Sequence, residues 1–428
     1  MNIGIILVGS FFLLLCLRVP VAASMGIASV LGMVYAGYGV SMLATVFYSA
    51  IAKYSLLAIP FFILAGVIMD YAGISKRLIN FINACVGHTR GGLAVVTVIV
   101  ACFFAAISGS GPATVAAIGG VLIPAMQKNG YDKNFATAIV ASSGGIGMVI
   151  PPSIPFVIYA MLAEQSVGTM FMAGIIPGIL MGVAFSVTAL IYMRNDKNVV
   201  TREKASDAEI WKTFKDAIWG ILAPVIILGG IYGGVFTPTE AAGVAVVYAL
   251  LVGVFIYKEI DLKAMVNMFK DAAVSSGIIM YIMGTAGAFT WILTTTGIAG
   301  KLSNGLLGIS DNGTVLMLIM MLIFMIAGCF VDSASGFYLF LPILLPVVKD
   351  IEFSVYAFGV LATVNFAIGQ ITPPVGSNLF VACNIANVTM KDLVSRVWPF
   401  LLAGCIVLIL MVFFPVIITG LPTLLGLS

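Results

Sequence analysis

Apolar stretches of about 20 residues recur from one end of the chain to the other, and no other feature restricts its fold so severely. Each can cross a bilayer as a helix, which rises about 1.5 Å per residue through a hydrocarbon core about 30 Å thick. With 61% hydrophobic and only 9% charged residues among 428, the chain has too few charges to cover a soluble protein of this size. The stretches also lack the polar–apolar alternation of a membrane barrel. The expected fold class is therefore an all-α polytopic membrane protein.

Several function classes drop out at once. The net charge of +3 is small. The basic residues sit in short loops between spans, where they report topology rather than a nucleic-acid partner. The six cysteines show no CxxC spacing, so neither a disulfide framework nor a metal site is expected. The one histidine, His88, sits in "GHTRGG" and reads as a solvated loop residue. No HExxH, GxSxG or other nucleophile–base constellation supports a membrane enzyme. The first apolar stretch has neither a basic leader nor a small-residue cleavage site and reads as a retained span.

Candidate spans cover 3–17, 20–38, 51–70, 135–163, 170–192, 218–236, 240–257, 274–294, 355–384 and 398–417. The most basic loop, 193–217, holds Arg194, Lys197, Arg202, Lys204, Lys212 and Lys215. The positive-inside rule assigns it to the cytoplasm. Threading outward from it leaves Lys76, Arg77, Arg90, Lys128, Lys133, Lys258, Lys263, Lys270, Lys391 and Arg396 inside. Both termini, "FTPTEAAG", Lys301 and Lys349 fall outside, and 39–50 stays unassigned. This works only if 92–126 and 314–348 each enter and leave on one side. Their arms, of roughly 15 residues and about 22 Å, are short of the core thickness. Their tips, "SGSGPAT" from Ser108 to Thr114 and "DSASG" from Asp332 to Gly336, read as helix interruptions. Both are predicted re-entrant hairpins, the first opening to the cytoplasm and the second outward. Non-helical backbone at that depth needs protein or water to cover it.

One constant offset pairs Pro151 and Pro152 with Pro373 and Pro374, Gly91 with Gly313, Pro124 with Pro346, and Gly147 with Gly369. It also pairs Pro177 with Pro399 and Gly182 with Gly404. Each unit reads hairpin, broken helix, span, and the threading makes the two units inverted. Inverted repeats with discontinuous helices are the signature of secondary transporters. The expected organisation is scaffold 1–75, first repeat 76–192 with hairpin 92–126 and broken helix 135–163, and cytoplasmic loop 193–217. Scaffold 218–297, a second inverted repeat 298–417 with hairpin 314–348 and broken helix 355–384, and tail 418–428 follow.

The stretch "GGIGMVIPPS", residues 144–153, shows why a helix would break inside a membrane. Pro151 and Pro152 lack N–H donors, which frees the carbonyls of Gly147 and Met148, and Ile150 is pushed out of helical geometry. The corresponding groups in the second unit are Gly369, Gln370 and Thr372. Carbonyls of unwound helices are ligands for Na⁺. The tips add the hydroxyls of Ser108 and Ser110, and of Ser333 and Ser335. Asp332 is the sharpest intramembrane polar residue: it either caps the half-helix that follows or serves the transport site. Ser153, Asn365, Ser377 and Asn378 at or near the breaks, with Ser335, either bind substrate or cap local backbone. Arg18 and Asp70 read as interface markers, and Glu240 in "TPTE" as a helix cap. A passive channel or a stand-alone sodium/dicarboxylate-type transporter is the alternative reading.

"SGSGPATVAAIGGVLIPAM", "IPPSIPFVIYA", "AGIIPG" and "GGVFTPTEAAGVAV" resemble the large membrane (M) subunit of tripartite ATP-independent periplasmic (TRAP) transporters, over nearly the whole chain. The resemblance implies an elevator-type transporter of the ion-transporter superfamily in the bacterial inner membrane. It implies a separate four-helix Q subunit packed against this chain amid membrane lipid, and a periplasmic binding protein that delivers an acidic solute. It implies sodium as the coupling ion and no organic cofactor. Carried onto this sequence, one Na⁺ site falls at Ser108, Ser110, Gly147, Ile150 and Pro152, and the other at Gly328, Asp332, Gly369 and Thr372. The implied solute is a C4-dicarboxylate or a sialic acid, with a lean to sialic acid.

Overall fold

The computed structural model describes residues 3–89, 91–194, 199 and 203–427; Arg90, Lys197 and Arg202, three charges threaded to the cytoplasmic side, lie outside them. Among the described residues every regular element is a helix. Seven helices are long and apolar enough to cross a membrane.

The N-terminal part comprises α1 (Ile3–Cys16), α2 (Val21–Tyr35), α3 (Ser41–Ile51) and α4 (Ala58–Tyr71), followed by α5 (Ile74–Val86). The unassigned 39–50 stretch is thus mostly the helix α3. Next come α6 (Gly92–Ser108), α7 (Gly111–Lys128), α8 (Lys133–Gly144), α9 (Ile154–Leu162) and α10 (Val167–Met193). The middle holds α11 (Asp207–Tyr232), α12 (Pro238–Leu251), α13 (Leu262–Thr295) and α14 (Ile298–Leu307). Then α15 (Gly313–Gly328), α16 (Ser333–Asp350), α17 (Val355–Gly369), α18 (Ser377–Ala386) and α19 (Met390–Phe413) repeat the order of α6 to α10, and α20 (Val416–Leu424) follows.

Two sets of packing contacts organise these helices. In one, α13 packs against α2, α3 and α4, while α12 packs on α4 and α11 on α5. Small residues, Gly284 to Ala288, are buried in this part of α13. In lipid there is little hydrophobic drive between helices, so close van der Waals approach carries such contacts. In the other set the two five-helix groups interlock: α18 packs on α7 and α8, and α9 packs on α16 and α17.

Several boundaries differ from the expected ones. The hairpin arms have 17, 18, 16 and 18 residues, longer than the 15 expected. At about 24–27 Å they approach the core thickness, so length alone does not mark them as re-entrant. The first tip is shorter than expected, and the second lies before its expected place, since Ser333 to Gly336 already belong to α16. Only Gly109 and Ser110 interrupt the first, because Gly111 to Thr114 already form the first turn of α7; Cys329 to Asp332 interrupt the second. The loop 193–217 is not all loop: α11 starts at Asp207, with Ser206 Oγ accepting from Glu209 N at 3.2 Å. The tail from 418 is helical as far as Leu424. His88 is half-buried rather than solvated, beside Asn83, Glu203 and Glu209. Glu240 caps as expected, in a reciprocal capping box with Thr237.

Residues threaded to the cytoplasm share contacts. Arg77 pairs with Glu259 at 3.0 Å and lies 3.8 Å from the Tyr257 ring centroid. Arg396 lies 3.5 Å from Asp132, and Lys133 Nζ donates to the Asn387 carbonyl at 3.3 Å. The base of the first hairpin, Gly91, meets Leu190 and Met193 near the end of α10. The base of the second, Gly313, meets Ile351, and Tyr159 OH of α9 donates to the nearby Val355 carbonyl at 2.6 Å.

Candidate functional site

Gly109 ends α6 in the left-handed region, φ 61°, a conformation glycine adopts without steric cost. The turn brings the first tip onto the first break: Ile154 N donates to the Gly109 carbonyl at 3.2 Å. At the second tip the contact is tighter. Gly369 lies backbone to backbone against Gly328, where a Cβ would fall 2.7 Å from the Gly328 Cα and carbonyl carbon.

Both tips and both breaks reach one cavity of about 190 Å³. Its lining includes the first residues of four helices: Gly111 and Pro112 of α7, Ile154 and Pro155 of α9, Ser333 and Ala334 of α16, and Ser377 of α18. A helix N-terminus presents unpaired N–H groups and about half a positive charge. Four such ends face one cavity whose lining holds no lysine or arginine and one carboxylate, that of Asp332. Four polar side chains in the lining make no hydrogen bond to the described residues: the hydroxyls of Ser110, Ser333 and Ser377, and the amide of Gln370, which is only 8% exposed. A second cavity of about 440 Å³ shares Ser110, Pro112, Ile154 and Ile279 with the first and extends to Asp70, Tyr71 and Asp271.

The first expected ion site is drawn together around a residue absent from it, Thr114. Thr114 Oγ1 lies 2.9 Å from Ser108 Oγ and donates to the Ser110 carbonyl at 2.8 Å. A Cβ on Gly147 would meet that hydroxyl at 2.5 Å and the Ser110 carbonyl at 3.0 Å. The Pro152 carbonyl faces Gly109, whereas the Ile150 side chain turns to Gly178 of α10. Of the two carbonyls expected to be free, that of Met148 accepts Ser153 Oγ at 2.5 Å, because the loop carries Ser153 back over the end of a 3₁₀ turn, Gly145–Met148, that follows α8.

At the second ion site Gly328 and Gly369 touch. The Gly369 carbonyl accepts Thr372 N at 3.0 Å, and Thr372 Oγ1 donates to the Ile368 carbonyl at 2.8 Å. The Gln370 carbonyl accepts Asn378 N at 3.2 Å. A carbonyl oxygen has two lone pairs, so one hydrogen bond leaves room for an ion. Asp332 is half-buried rather than buried, and it caps α16: Oδ1 accepts Ser335 N and Oδ2 accepts Ser335 Oγ, both at 2.9 Å.

The expected substrate residues separate. Ser377 lines the cavity. Ser153 is fully buried, donates to Met148 and accepts from Phe156 N, so it holds the start of α9. Ser335 is likewise buried with its hydroxyl on Asp332. Asn365 lies under α15, donating to the Met321 carbonyl at 2.6 Å, and is absent from the cavity lining. Asn378 Nδ2 donates to the Ala141 carbonyl at 3.2 Å, which turns its unbonded Oδ1 toward Gly111. Gln370 and Thr114 were legible as polar residues in a break and a tip. Ile279 and Ile282 of α13 carry no local signal that would place them in the lining.

The chain matches the family model described as "Tripartite ATP-independent periplasmic transporter, DctM component" over residues 8–417. It is 39% identical over 421 residues to the "Isethionate TRAP transporter permease protein DctMQ" of Oleidesulfovibrio alaskensis, covering 96% of this chain and 65% of that protein. It is 36% identical over 440 residues to the "C4-dicarboxylate TRAP transporter large permease protein DctM" of Rhodobacter capsulatus, covering 99% of each. The "Sialic acid TRAP transporter permease protein SiaT" of Haemophilus influenzae is 34% identical over 97% of this chain and 67% of that protein. The crystal structure of the Alcanivorax borkumensis YdaH transporter has a similar fold, with a TM-score of 0.63 at 16% identity over 97% of this chain and 99% of that one. These relatives are permeases and not enzymes, and a multi-pass protein of the bacterial inner membrane is what seven apolar helices and this family describe. The chain belongs to the DctM-component family of tripartite ATP-independent periplasmic transporters.

Proposed function

We propose that this chain is the large membrane subunit of a sodium-coupled importer of an organic anion. The observation that carries the reading is the convergence of four helix N-termini and four uncommitted polar side chains on one cavity. Half-helix ends of this kind face anionic groups of substrates, while unwound carbonyls take the coupling ion. In this reading Na⁺ binds at Ser108, Ser110, Thr114 and Gly147, with Ile150 and Pro152 contributing backbone. A second Na⁺ binds at Gly328, Asp332, Gly369 and Thr372. The two five-helix groups are inverted repeats that move together, elevator-fashion, against the α2–α4 and α11–α13 scaffold. A small four-helix membrane subunit and a periplasmic binding protein complete the system. Relatives carry isethionate, C4-dicarboxylate and sialic acid in their names, so membership alone does not choose the solute.

Uptake into proteoliposomes tests the reading. Solute should accumulate under an inward sodium gradient only when the small membrane subunit and the binding protein are both supplied. Full uptake driven by a proton gradient without sodium would refute the coupling, and robust uptake by this polypeptide alone would refute the tripartite assembly. The inversion has its own test. Single cysteines at Lys128 and Lys349, at the two hairpin bases in a cysteine-free background, should react with an impermeant maleimide from opposite sides of the membrane. Reaction from one side would mean that the groups are parallel.

A further inference from the structure

The polar groups of the 190 Å³ cavity are confined to the tips and breaks, at Ser110, Ser333, Ser377 and Gln370, with the Asp332 carboxylate turned onto Ser335. The helices that complete the lining bring apolar side chains. Ile154 and Ile158 stand one turn apart on α9, and Ile279 and Ile282 occupy neighbouring positions on α13. The Gln370 side chain is more than nine-tenths buried and lines the cavity, and its Oε1 makes no hydrogen bond among the described residues. The cavity adjoins the 440 Å³ one, with which it shares Ser110, Pro112, Ile154 and Ile279.

We propose that this cavity selects a compact organic monoanion with an aliphatic body, of the branched short-chain carboxylate class. The proposal rests on the anion-transport reading above and narrows it, away from both the sialic acid and the C4-dicarboxylate. The single anionic head sits among the helix N-termini and the three serine hydroxyls, and Gln370 can meet it only through Nε2. The body lies on the isoleucines of α9 and α13. A dicarboxylate of similar length would press its second charge onto those isoleucines, and no lysine or arginine lines the cavity to receive it. A polyhydroxylated sugar acid would bury hydroxyls against those isoleucines without partners. A methyl branch, in contrast, gains about tenfold or more from a well-fitting apolar wall.

Isothermal titration of the purified full-length chain, together with any membrane subunit that copurifies and in sodium-containing buffer, tests this directly. The probes are 3-methylbutanoate, succinate, N-acetylneuraminate and the neutral 3-methylbutanamide. The carboxylate should bind at least about tenfold more tightly than each of the other three. Ile158→Thr, which puts a hydroxyl in the apolar wall, should weaken 3-methylbutanoate and narrow its lead over succinate. If succinate or N-acetylneuraminate binds as tightly as 3-methylbutanoate, the assigned class is wrong while the anion reading stands. If the amide binds as tightly as the acid, the anion reading itself fails. Binding by none of the four also overturns the assignment.

Discussion

Gly369→Ala is expected to abolish uptake and to lower the yield of folded protein. The added methyl would lie 2.7 Å from the Gly328 Cα and carbonyl carbon and 2.8 Å from its oxygen. These are backbone atoms, so no rotamer change makes room; α15 and α17 would have to separate where the second tip meets the second break. Overpacking a tight interior usually costs about 1–3 kcal/mol, and a clash with backbone belongs at the upper end. Separation would also pull apart two residues of the second proposed ion site, so transport should fall at least about tenfold even among folded molecules. Gly120→Ala is the internal control. Gly120 sits inside α7 with nothing within 4 Å of a Cβ, and alanine favours a helix over glycine by about 1 kcal/mol. Uptake per folded transporter, measured with the yield from fluorescence-detected chromatography, separates the two variants. Normal transport by Gly369→Ala would show that the Gly328–Gly369 contact is not needed.

Thr114→Val should raise the sodium concentration for half-maximal uptake about tenfold, while Thr114→Ser keeps the native curve. Thr114 Oγ1 joins the Ser108 hydroxyl, the Ser110 carbonyl and the Gly147 backbone in one place. Valine keeps the shape and removes the oxygen. Losing one ligand worth about 1.4 kcal/mol shifts an ion affinity about tenfold. A purely structural hydroxyl behaves differently: its back-bond to Ser110 is worth about 1 kcal/mol of stability, so its loss lowers the folded amount and leaves the sodium curve unmoved. Initial uptake against sodium, normalised to folded transporter, distinguishes these outcomes. An unshifted curve for Thr114→Val would remove the hydroxyl from the ion site.

Much of the architecture was legible in local chemistry. Apolar runs about 20 residues long announce membrane helices because unsatisfied backbone cannot face lipid. Pro151–Pro152 and Pro373–Pro374 announce breaks because proline lacks a donor, and the recurrence of glycines and prolines at one offset announces two similar groups. Capping by Ser153, Asp332 and Glu240 is equally local, since each side chain reaches a backbone N–H three residues on or closes a box with its neighbour. The exact tips were less legible. Gly111-Pro112 reads as an interruption, yet proline suits the first turn of a helix, so α7 starts there.

What the amino-acid order determined by itself is therefore the main apolar helices and where the two breaks fall, because these depend on contacts within a few residues. What only the tertiary structure decided is which stops meet. Asn365 and Ser377 both lie at or near the second break, but Asn365 is buried under α15 while Ser377 lines the cavity. Ser153 and Ser110 both start helices, but one hydroxyl closes its own break while the other faces the cavity. Ile279 and Ile282 come to the site from α13, more than a hundred residues from either the first tip or the first break. Helix packing sets these meetings, through side-chain shape at contacts distant in sequence, and no window of neighbouring residues contains both partners.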